Sequence, residues 1–128
     1  IEEDIKTGFY FGPTILDEVE PHAEIANEEV FGPVMSILKV ERIEDAIELI
    51  NINKYGNAAS IFTSNGKAAR EFVKNVNVGN VAVNMSVAQP LPFFPFGGRK
   101  KSFFGILHAQ VDAVNFFTDR KVIMQRWF

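Results

Sequence analysis

The chain contains no cysteine among its 128 residues. This absence excludes disulfide bonds, thiolate metal sites and cysteine-based catalysis within the chain itself. An excess of positive charge is also lacking, because 13 basic residues are set against 16 acidic residues and the net charge is −3. Nucleic acids and anionic membrane surfaces attract proteins with a basic excess. The sequence therefore predicts neither a nucleic-acid partner nor a membrane partner.

Long hydrophobic runs are absent as well. No stretch approaches the roughly 20 apolar residues that a membrane-spanning helix needs. The first residues, Ile1–Ile5, lack a starting methionine and the basic-then-apolar pattern of a secretory signal. We expect the chain to be part of a longer protein, the alternative being a processed mature terminus. A cytoplasmic location is expected, with a mitochondrial precursor as the alternative.

Apolar residues are plentiful. Hydrophobic residues make up 47% of the chain, and 13 phenylalanines outnumber two tyrosines and one tryptophan. This composition suffices for the core of a single domain. Because so many rings are purely apolar, we expect some of them to be buried by other parts of a larger assembly.

The hydrophobic pattern predicts three strands that alternate with two helices. The apolar runs 34–40, 58–62 and 80–84 have the length of strands. Between them lie two stripes with helical spacing, made by Ile43, Ala46, Ile47 and Ile50 and by Ala69, Phe72, Val73 and Val76. Ser64-Asn65-Gly66 is predicted to cap the second helix. This order is typical of an α/β fold with crossover helices on a parallel sheet.

The remaining segments are predicted to be less regular. Residues 1–33 are rich in turn signals, with short extended pieces at Tyr10-Phe11 and Thr14–Leu16, and residues 54–57 are predicted to form a turn. Residues 85–104 are predicted to form a long loop, since Pro90, Pro92 and Pro95 are incompatible with an interior strand. Residues 107–117 are predicted to be helical, and residues 121–127 to form a terminal strand.

Six short phrases follow one another along the chain. They are Gly12–Thr14, Glu28–Pro33, Tyr55–Asn57, Gly79–Asn84, Phe96–Gly98 and Lys100-x-Ser102-x-x-Gly105. In their order and rough spacing they resemble the closing third of an aldehyde dehydrogenase. Residues 102–109 and the ending from Asn115 to Trp127 resemble the CoA-acylating branch, the methylmalonate-semialdehyde dehydrogenases.

The resemblance implies a fold and its partners. The expected fold is α/β, a partial catalytic domain of the aldehyde dehydrogenase fold. It has three mostly parallel strands with crossover helices, a long loop and a C-terminal oligomerisation strand. Residues 1–117 would form the C-terminal segment of the catalytic domain and residues 118–128 the oligomerisation strand. The implied partners are the remainder of the dehydrogenase and further copies of the same protein, joined through that strand.

The resemblance also implies a reaction. The whole enzyme would oxidise methylmalonate or malonate semialdehyde to an acyl-CoA with decarboxylation, through a cysteine thioester, with NAD as cofactor and CoA as co-substrate. The family's nucleophile, general base, oxyanion asparagine and glycine-rich turn match no residue of this chain. We therefore assign no catalytic residue and expect the chain alone to be inactive. The alternative is a non-catalytic, self-associating module of the same fold.

Three residues match binding positions of the family. Glu29 matches the glutamate that accepts hydrogen bonds from the nicotinamide-ribose hydroxyls, a task suited to a carboxylate. Phe31 matches the aromatic ring that packs near the nicotinamide, and Phe96 matches a wall of the substrate pocket. The alternatives are a solvated acid in a turn for Glu29, a core ring before a strand for Phe31, and a loop hydrophobe packed on a neighbouring domain for Phe96.

The polar residues after Gly97-Gly98 are predicted to be structural. Lys100 and Ser102 would satisfy the backbone of a tight glycine path. Arg99 stands where the family often has tryptophan or tyrosine. With Lys100 and Lys101 it forms a basic triplet that is predicted to lie in a solvated loop, the alternative being contact with a CoA phosphate. The two histidines, His22 and His108, are isolated from each other and predict no metal site.

Overall fold

The computed structural model describes residues 8–86, 91, 93–105 and 110–128. The chain divides into two compact units, Ile1–Leu49 and Ile50–Phe128. Within the described ranges the elements are, in order, β1 Thr14–Leu16, α1 Glu24–Asn27, β2 Val34–Ser36, α2 Ile43–Ile52, β3 Tyr55–Gly56, β4 Ala58–Ile61, α3 Gly66–Asn75, β5 Asn80–Val83, β6 Arg99–Lys100 and α4 Gln110–Phe117.

In the first unit, β1 and β2 form a parallel pair in which Thr14 lies opposite Val34. The extended piece predicted at Thr14–Leu16 is therefore confirmed, whereas Tyr10-Phe11 forms no strand. Strand β2 is shorter than the predicted run 34–40, although the backbone N–H of Ile37 still donates a 2.8 Å hydrogen bond to the carbonyl of Leu16. The predicted first helix is present as α2.

In the second unit, β4 and β5 form a parallel pair connected through α3, with Ala58 opposite Asn80. The predicted strand–helix–strand crossover is thus confirmed here. The apolar stripe of α3 contributes Phe72 to a small core, and the described buried residues of this unit's core are Phe72, Val76, Val78 and Ala82. Burial of these side chains supplies hydrophobic stabilisation to the unit.

Helix α3 begins where the sequence predicts. The side-chain oxygen of Asn65 accepts hydrogen bonds from the backbone N–H groups of Lys67 (2.9 Å) and Ala68 (3.2 Å). These donors have no partner inside the helix, so the asparagine satisfies them. The predicted cap is therefore confirmed at Asn65.

Two predictions about the second unit need correction. Tyr55–Gly56, predicted as part of a turn, is strand β3 and pairs antiparallel with Arg99–Lys100, so that a strand also interrupts the predicted loop 85–104. A two-residue strand carries no periodicity, and its partner is distant in sequence. Helix α4 begins at Gln110 within the predicted helix 107–117, whose first residues, like Pro90 and Pro92, lie outside the described residues.

The terminal segment 118–128 pairs with no strand in the part of the chain that the structure describes. Its apolar side chains are exposed, and Met124 is the most exposed of those between Val122 and Trp127. Pairing of this segment with another chain stays a prediction. None of the described helices combines the length and the apolar character that crossing a membrane requires.

Candidate functional site

The residues predicted to bind the cofactor lie on the loop between α1 and β2. The loop leaves α1 at Glu28, whose backbone is extended and whose N–H donates a 2.8 Å hydrogen bond to the carbonyl of Glu24. It enters β2 through a turn in which the N–H of Val34 donates to the carbonyl of Gly32 at 2.8 Å. Both ends of the loop that carries Glu29 and Phe31 are therefore held by backbone hydrogen bonds.

Both side chains on this loop face outward. Glu29 is exposed and the ring of Phe31 is 95% exposed. Within the described ranges, no residue donates a hydrogen bond to the Glu29 carboxylate or pairs with it as an ion. The carboxylate is thus available as a charge-assisted acceptor, and the ring face two residues away is available for stacking. This pair suits a ligand that carries adjacent hydroxyls beside a flat ring, as the nicotinamide riboside of a dinucleotide does.

The exposure of Phe31 bears on the alternative drawn from sequence. A phenylalanine just before a strand is commonly a core residue, but this ring is not buried by the chain. Leaving a ring of this size in water forgoes a large hydrophobic gain. Phe31 therefore contributes nothing to the core of its own unit.

Phe96, the predicted pocket residue, lies in the second unit. Its ring is 36% exposed and is more covered than its neighbours Phe93 (76%) and Phe94 (58%). Upstream, the N–H of Phe94 donates a 2.9 Å hydrogen bond to the carbonyl of Leu91, which closes a turn. Directly downstream, Gly97 is buried. Phe96 thus stands where an exposed turn meets a segment anchored in the unit.

Residues 97–102, here called the anchored segment, are fixed to several parts of the second unit. The carbonyl of Gly97 accepts a 2.7 Å hydrogen bond from the side-chain amide of Asn80. The hydroxyl of Ser102 accepts a 2.9 Å hydrogen bond from the backbone N–H of Gly56. The predicted structural role of Ser102 is therefore confirmed.

Lys100 is the most strongly held side chain of the anchored segment. Its Nζ donates hydrogen bonds to the carbonyls of Ile50 (2.8 Å), Asn51 (3.4 Å) and Asn53 (2.8 Å). These are carbonyls at and just after the C-terminal end of α2, where a cation is favoured. Burial lowers the pKa of Lys100 below its usual 10.5. The structural role predicted for Lys100 is confirmed, and its ammonium is engaged with these carbonyls.

The other members of the basic triplet behave differently. Arg99 donates a 3.2 Å hydrogen bond to the side-chain oxygen of Asn77, and Lys101 is exposed. The guanidinium thus has a partner inside the unit although it stands where the family often has an aromatic ring. Contact of this triplet with a CoA phosphate stays an untested alternative.

The close approach of two glycines was missed by the sequence analysis. A Cβ built on Gly79 would lie 2.0 Å from the carbonyl oxygen of Gly97 and 2.6 Å from the Cα of Gly98. Real Cβ atoms do not approach other atoms so closely, so only glycine permits this path. The glycine directly before strand β5 was visible in the sequence, but Gly97, the residue that it contacts, lies 18 positions further along the chain.

Two other features do not involve the predicted site residues. A groove of ≈ 280 Å³ runs beside α3 and β5, lined by Ala69, Arg70, Val73, Lys74 and Val83. His22 is exposed, and His108 lies outside the described residues. Over the described ranges, no group of three or more histidine, aspartate or glutamate side chains is arranged to hold a metal ion.

Comparison with known proteins gives the family. The model of the aldehyde dehydrogenase family matches residues 2–123. The chain belongs to this family. The matched range includes the six phrases of the sequence, the parallel pair β4–β5 and the loop that carries Glu29 and Phe31.

Named relatives refine the comparison. The chain is 43% identical over 129 residues to malonate-semialdehyde dehydrogenase 1 of Bacillus thuringiensis (strain Al Hakam), covering 100% of this chain and 26% of that protein. It resembles the crystal structure of methylmalonate-semialdehyde dehydrogenase from Oceanimonas doudoroffii, with a TM-score of 0.84, 45% identity, and coverage of 94% of this chain and 25% of that one. An aldehyde dehydrogenase of Mycobacterium tuberculosis, solved with NAD+, gives a TM-score of 0.73 at 32% identity, covering 84% and 22%.

The chain thus spans about a quarter of the length of the curated relatives that it matches. Glu29 and Phe31 lie together on one loop of the first unit, whereas Phe96 belongs to the second unit. The binding roles of these three residues stay predictions.

Proposed function

We propose that this chain is the C-terminal part of an NAD-dependent dehydrogenase that oxidises malonate or methylmalonate semialdehyde to an acyl-CoA with decarboxylation. The observation that carries the proposal is the outward-facing pair of Glu29 and Phe31 on a loop held at both ends. The names of the similar proteins support the choice of aldehyde. The relative solved with NAD+ supports the choice of cofactor.

Each residue would have a defined task. NAD, when bound, supplies the acceptor for the hydride that leaves the aldehyde carbon. The Glu29 carboxylate would accept hydrogen bonds from both ribose hydroxyls and so fix the reactive end of the cofactor. The Phe31 ring would limit motion of the nicotinamide and keep water away from it. Phe96 would line the aldehyde pocket.

The chemistry needs groups that this chain lacks. A cysteine thiolate must add to the aldehyde, and the resulting thioester must be released to CoA with loss of CO2. Since the chain has no cysteine, the nucleophile would come from the remainder of the dehydrogenase. The chain alone is therefore expected to oxidise no aldehyde.

Self-association is a second part of the proposal. The segment 118–128 has exposed apolar side chains, among them Val122, Met124 and Trp127. An exposed apolar segment of this kind is suited to strand addition at the sheet edge of another copy. We place the assembled enzyme in the cytoplasm, in keeping with the bacterial origin of the relatives.

The test begins with the complete reading frame that contains this chain. The expressed protein is assayed for NADH formation with malonate and methylmalonate semialdehyde, with and without CoA. Glu29→Gln is expected to raise KM for NAD about tenfold, because a neutral amide accepts hydroxyl hydrogen bonds less strongly than a carboxylate does. Glu41→Gln is the matched control, since Glu41 is an exposed carboxylate of the same unit.

The outcomes separate the two candidate functions. An unchanged KM for NAD in Glu29→Gln would contradict the assigned cofactor contact. NADH formation by the 128-residue chain alone would contradict the proposal that the remainder of the dehydrogenase supplies the nucleophile. A complete reading frame without a cysteine or a glycine-rich turn would favour the non-catalytic, self-associating module. The exposed apolar segment 118–128 would then be the surface through which the copies associate.

A further inference from the structure

We propose that Asn80 is a positioning residue that sets the place of Phe96, and thereby the discrimination between aldehydes that differ by one methyl group. This inference rests on the proposed function, because it takes Phe96 as a wall of the aldehyde pocket. It concerns a contact that the sequence analysis did not identify.

The side chain of Asn80 is itself firmly placed. Asn80 is the first residue of β5, and its backbone N–H donates a 3.0 Å hydrogen bond to the carbonyl of Asn57. Its side-chain nitrogen donates to that same carbonyl at 3.1 Å and to the carbonyl of Gly97 at 2.7 Å. Both hydrogens of the amide are thus used. The donor of the short hydrogen bond to Gly97 belongs to a residue of strand β5, which is itself paired with β4.

Gly79 lies close to the same carbonyl. Since a Cβ at residue 79 would lie 2.0 Å from the Gly97 oxygen, the two backbones are in close contact. This close contact and the hydrogen bond from Asn80 together leave the Gly97 peptide little freedom. Gly79 and Asn80 therefore determine where the anchored segment begins.

The position of the Phe96 backbone depends on that of Gly97, the next residue in the chain. Consecutive Cα atoms are about 3.8 Å apart across a trans peptide bond, so a shift of Gly97 carries Phe96 with it. Upstream of Phe96, the described residues Leu91, Phe93 and Phe94 are exposed, and the N–H of Phe94 donates to the carbonyl of Leu91 within the same turn. The contact between Asn80 and Gly97 is thus the nearest described anchor of the Phe96 backbone.

A pocket that distinguishes a hydrogen from a methyl group depends on the accurate position of its walls. One methylene in an apolar pocket changes kcat/KM by about 10- to 200-fold. If Gly97 loses its anchor, the Phe96 ring gains freedom and the pocket tolerates both sizes. The ratio of kcat/KM for malonate and methylmalonate semialdehyde reports this freedom directly.

The experiment uses the complete enzyme that contains this chain. Asn80→Ala removes the donor, and Asn80→Asp replaces it with a carboxylate oxygen that faces the Gly97 carbonyl. Both variants are expected to shift the ratio of the two kcat/KM values about tenfold, with KM for NAD unchanged. Asn80→Ser, which retains a shorter donor, is expected to shift the ratio by about threefold.

Asn65→Ala is the matched control. It also deletes a carboxamide that makes two hydrogen bonds in the second unit, but these bonds end at the start of α3. It is expected to lower the thermal midpoint without changing the ratio. A purely structural role of Asn80 would give the same result as this control.

Each outcome decides the matter. A wild-type enzyme inactive with both aldehydes would overturn the proposed function and this inference with it. An active wild type whose ratio is unchanged in folded Asn80 variants would overturn this inference alone. If Asn80→Ala and Asn80→Asp do not fold, Asn80→Ser decides. An unchanged ratio there overturns the inference, and a shifted ratio that Asn65→Ala does not reproduce supports it.

Discussion

The side-chain oxygen of Asn51 accepts a 2.7 Å hydrogen bond from the backbone N–H of Asn77. The amide nitrogen of Asn51 donates in turn to the carbonyl of Asn75 at 2.8 Å. Asn84 makes the same two-point contact with the backbone of Thr63, at 2.9 and 3.1 Å. In both cases a carboxamide takes the place of a peptide group. Asn51 thereby joins the end of α2 to the residues after α3, whereas Asn84 continues the pairing of β4 with β5 beyond Ile61 and Val83.

Asn51→Asp is expected to lower the free energy of unfolding by about 1 kcal/mol. The carboxylate can still accept from the N–H of Asn77, but it can no longer donate to the carbonyl of Asn75. Urea denaturation at neutral pH measures the change. Asn57→Asp, at an exposed position of the same unit, is the control, and an equal loss in both variants would contradict the assigned contact.

Lys100→Met is expected to cost about 2 kcal/mol of unfolding free energy. Three carbonyls near the end of α2 lose their donor, whereas the aliphatic stem is largely preserved. The exposed neighbour Lys101→Met is the control and should change the unfolding free energy by less than about 0.5 kcal/mol. Equal stability of the wild type and Lys100→Met would show that these hydrogen bonds contribute nothing.

The same lysine predicts a pH dependence. Burial places the pKa of Lys100 in the folded state below its ordinary value of 10.5. Between these two values the unfolded chain binds more protons than the folded chain, so stability rises with pH in that window. The difference in stability between the wild type and Lys100→Met should therefore widen as the pH approaches 10.5 from below. Denaturation curves at several alkaline pH values measure it, and a narrowing difference would contradict the direction of the shift.

Gly79→Ala is expected to destabilise the protein by about 3 kcal/mol. The added methyl group would overlap the carbonyl of Gly97, and one of the two backbones would have to move. Gly12→Ala is the control, because a Cβ at Gly12 meets nothing within 4 Å. Thermal unfolding compares them, and similar midpoints for both variants would mean that the anchored segment adapts freely.

Met124→Asp is expected to reduce the assembly size of the complete enzyme, since a charge would enter the apolar face predicted to pair with another copy. Gln125→Glu, which adds a charge at the neighbouring position of the same segment, is the control. Light scattering coupled to size exclusion measures the mass. An unchanged mass for Met124→Asp would contradict an oligomeric role of residues 118–128.

Local signals predicted the elements that depend on nearby residues. The helix of Phe72 and its Asn65 cap could be foreseen because spacing and capping act within a few residues. Strand β3 could not, since Tyr55–Gly56 becomes a strand only through Arg99–Lys100, far along the chain. The limits of β2 also depend on its partner β1 and not on the apolar run itself.

The candidate site shows the same division. Glu29, Phe31 and Phe96 were found through a family resemblance, because an exposed acid and exposed rings carry no signal of their own. The structural roles of Lys100 and Ser102 followed from their place beside two glycines. The contact between Asn80 and Gly97 depends on tertiary structure, so the spacing of these residues in the sequence does not predict it.

The contact between Gly79 and Gly97 also constrains how this protein can change over generations. A side chain at residue 79 requires one of the two backbones to move, and we expect such a substitution to be destabilising by itself. Substitutions at the two positions are therefore expected to depend on each other during evolution, although 17 residues separate them in the sequence.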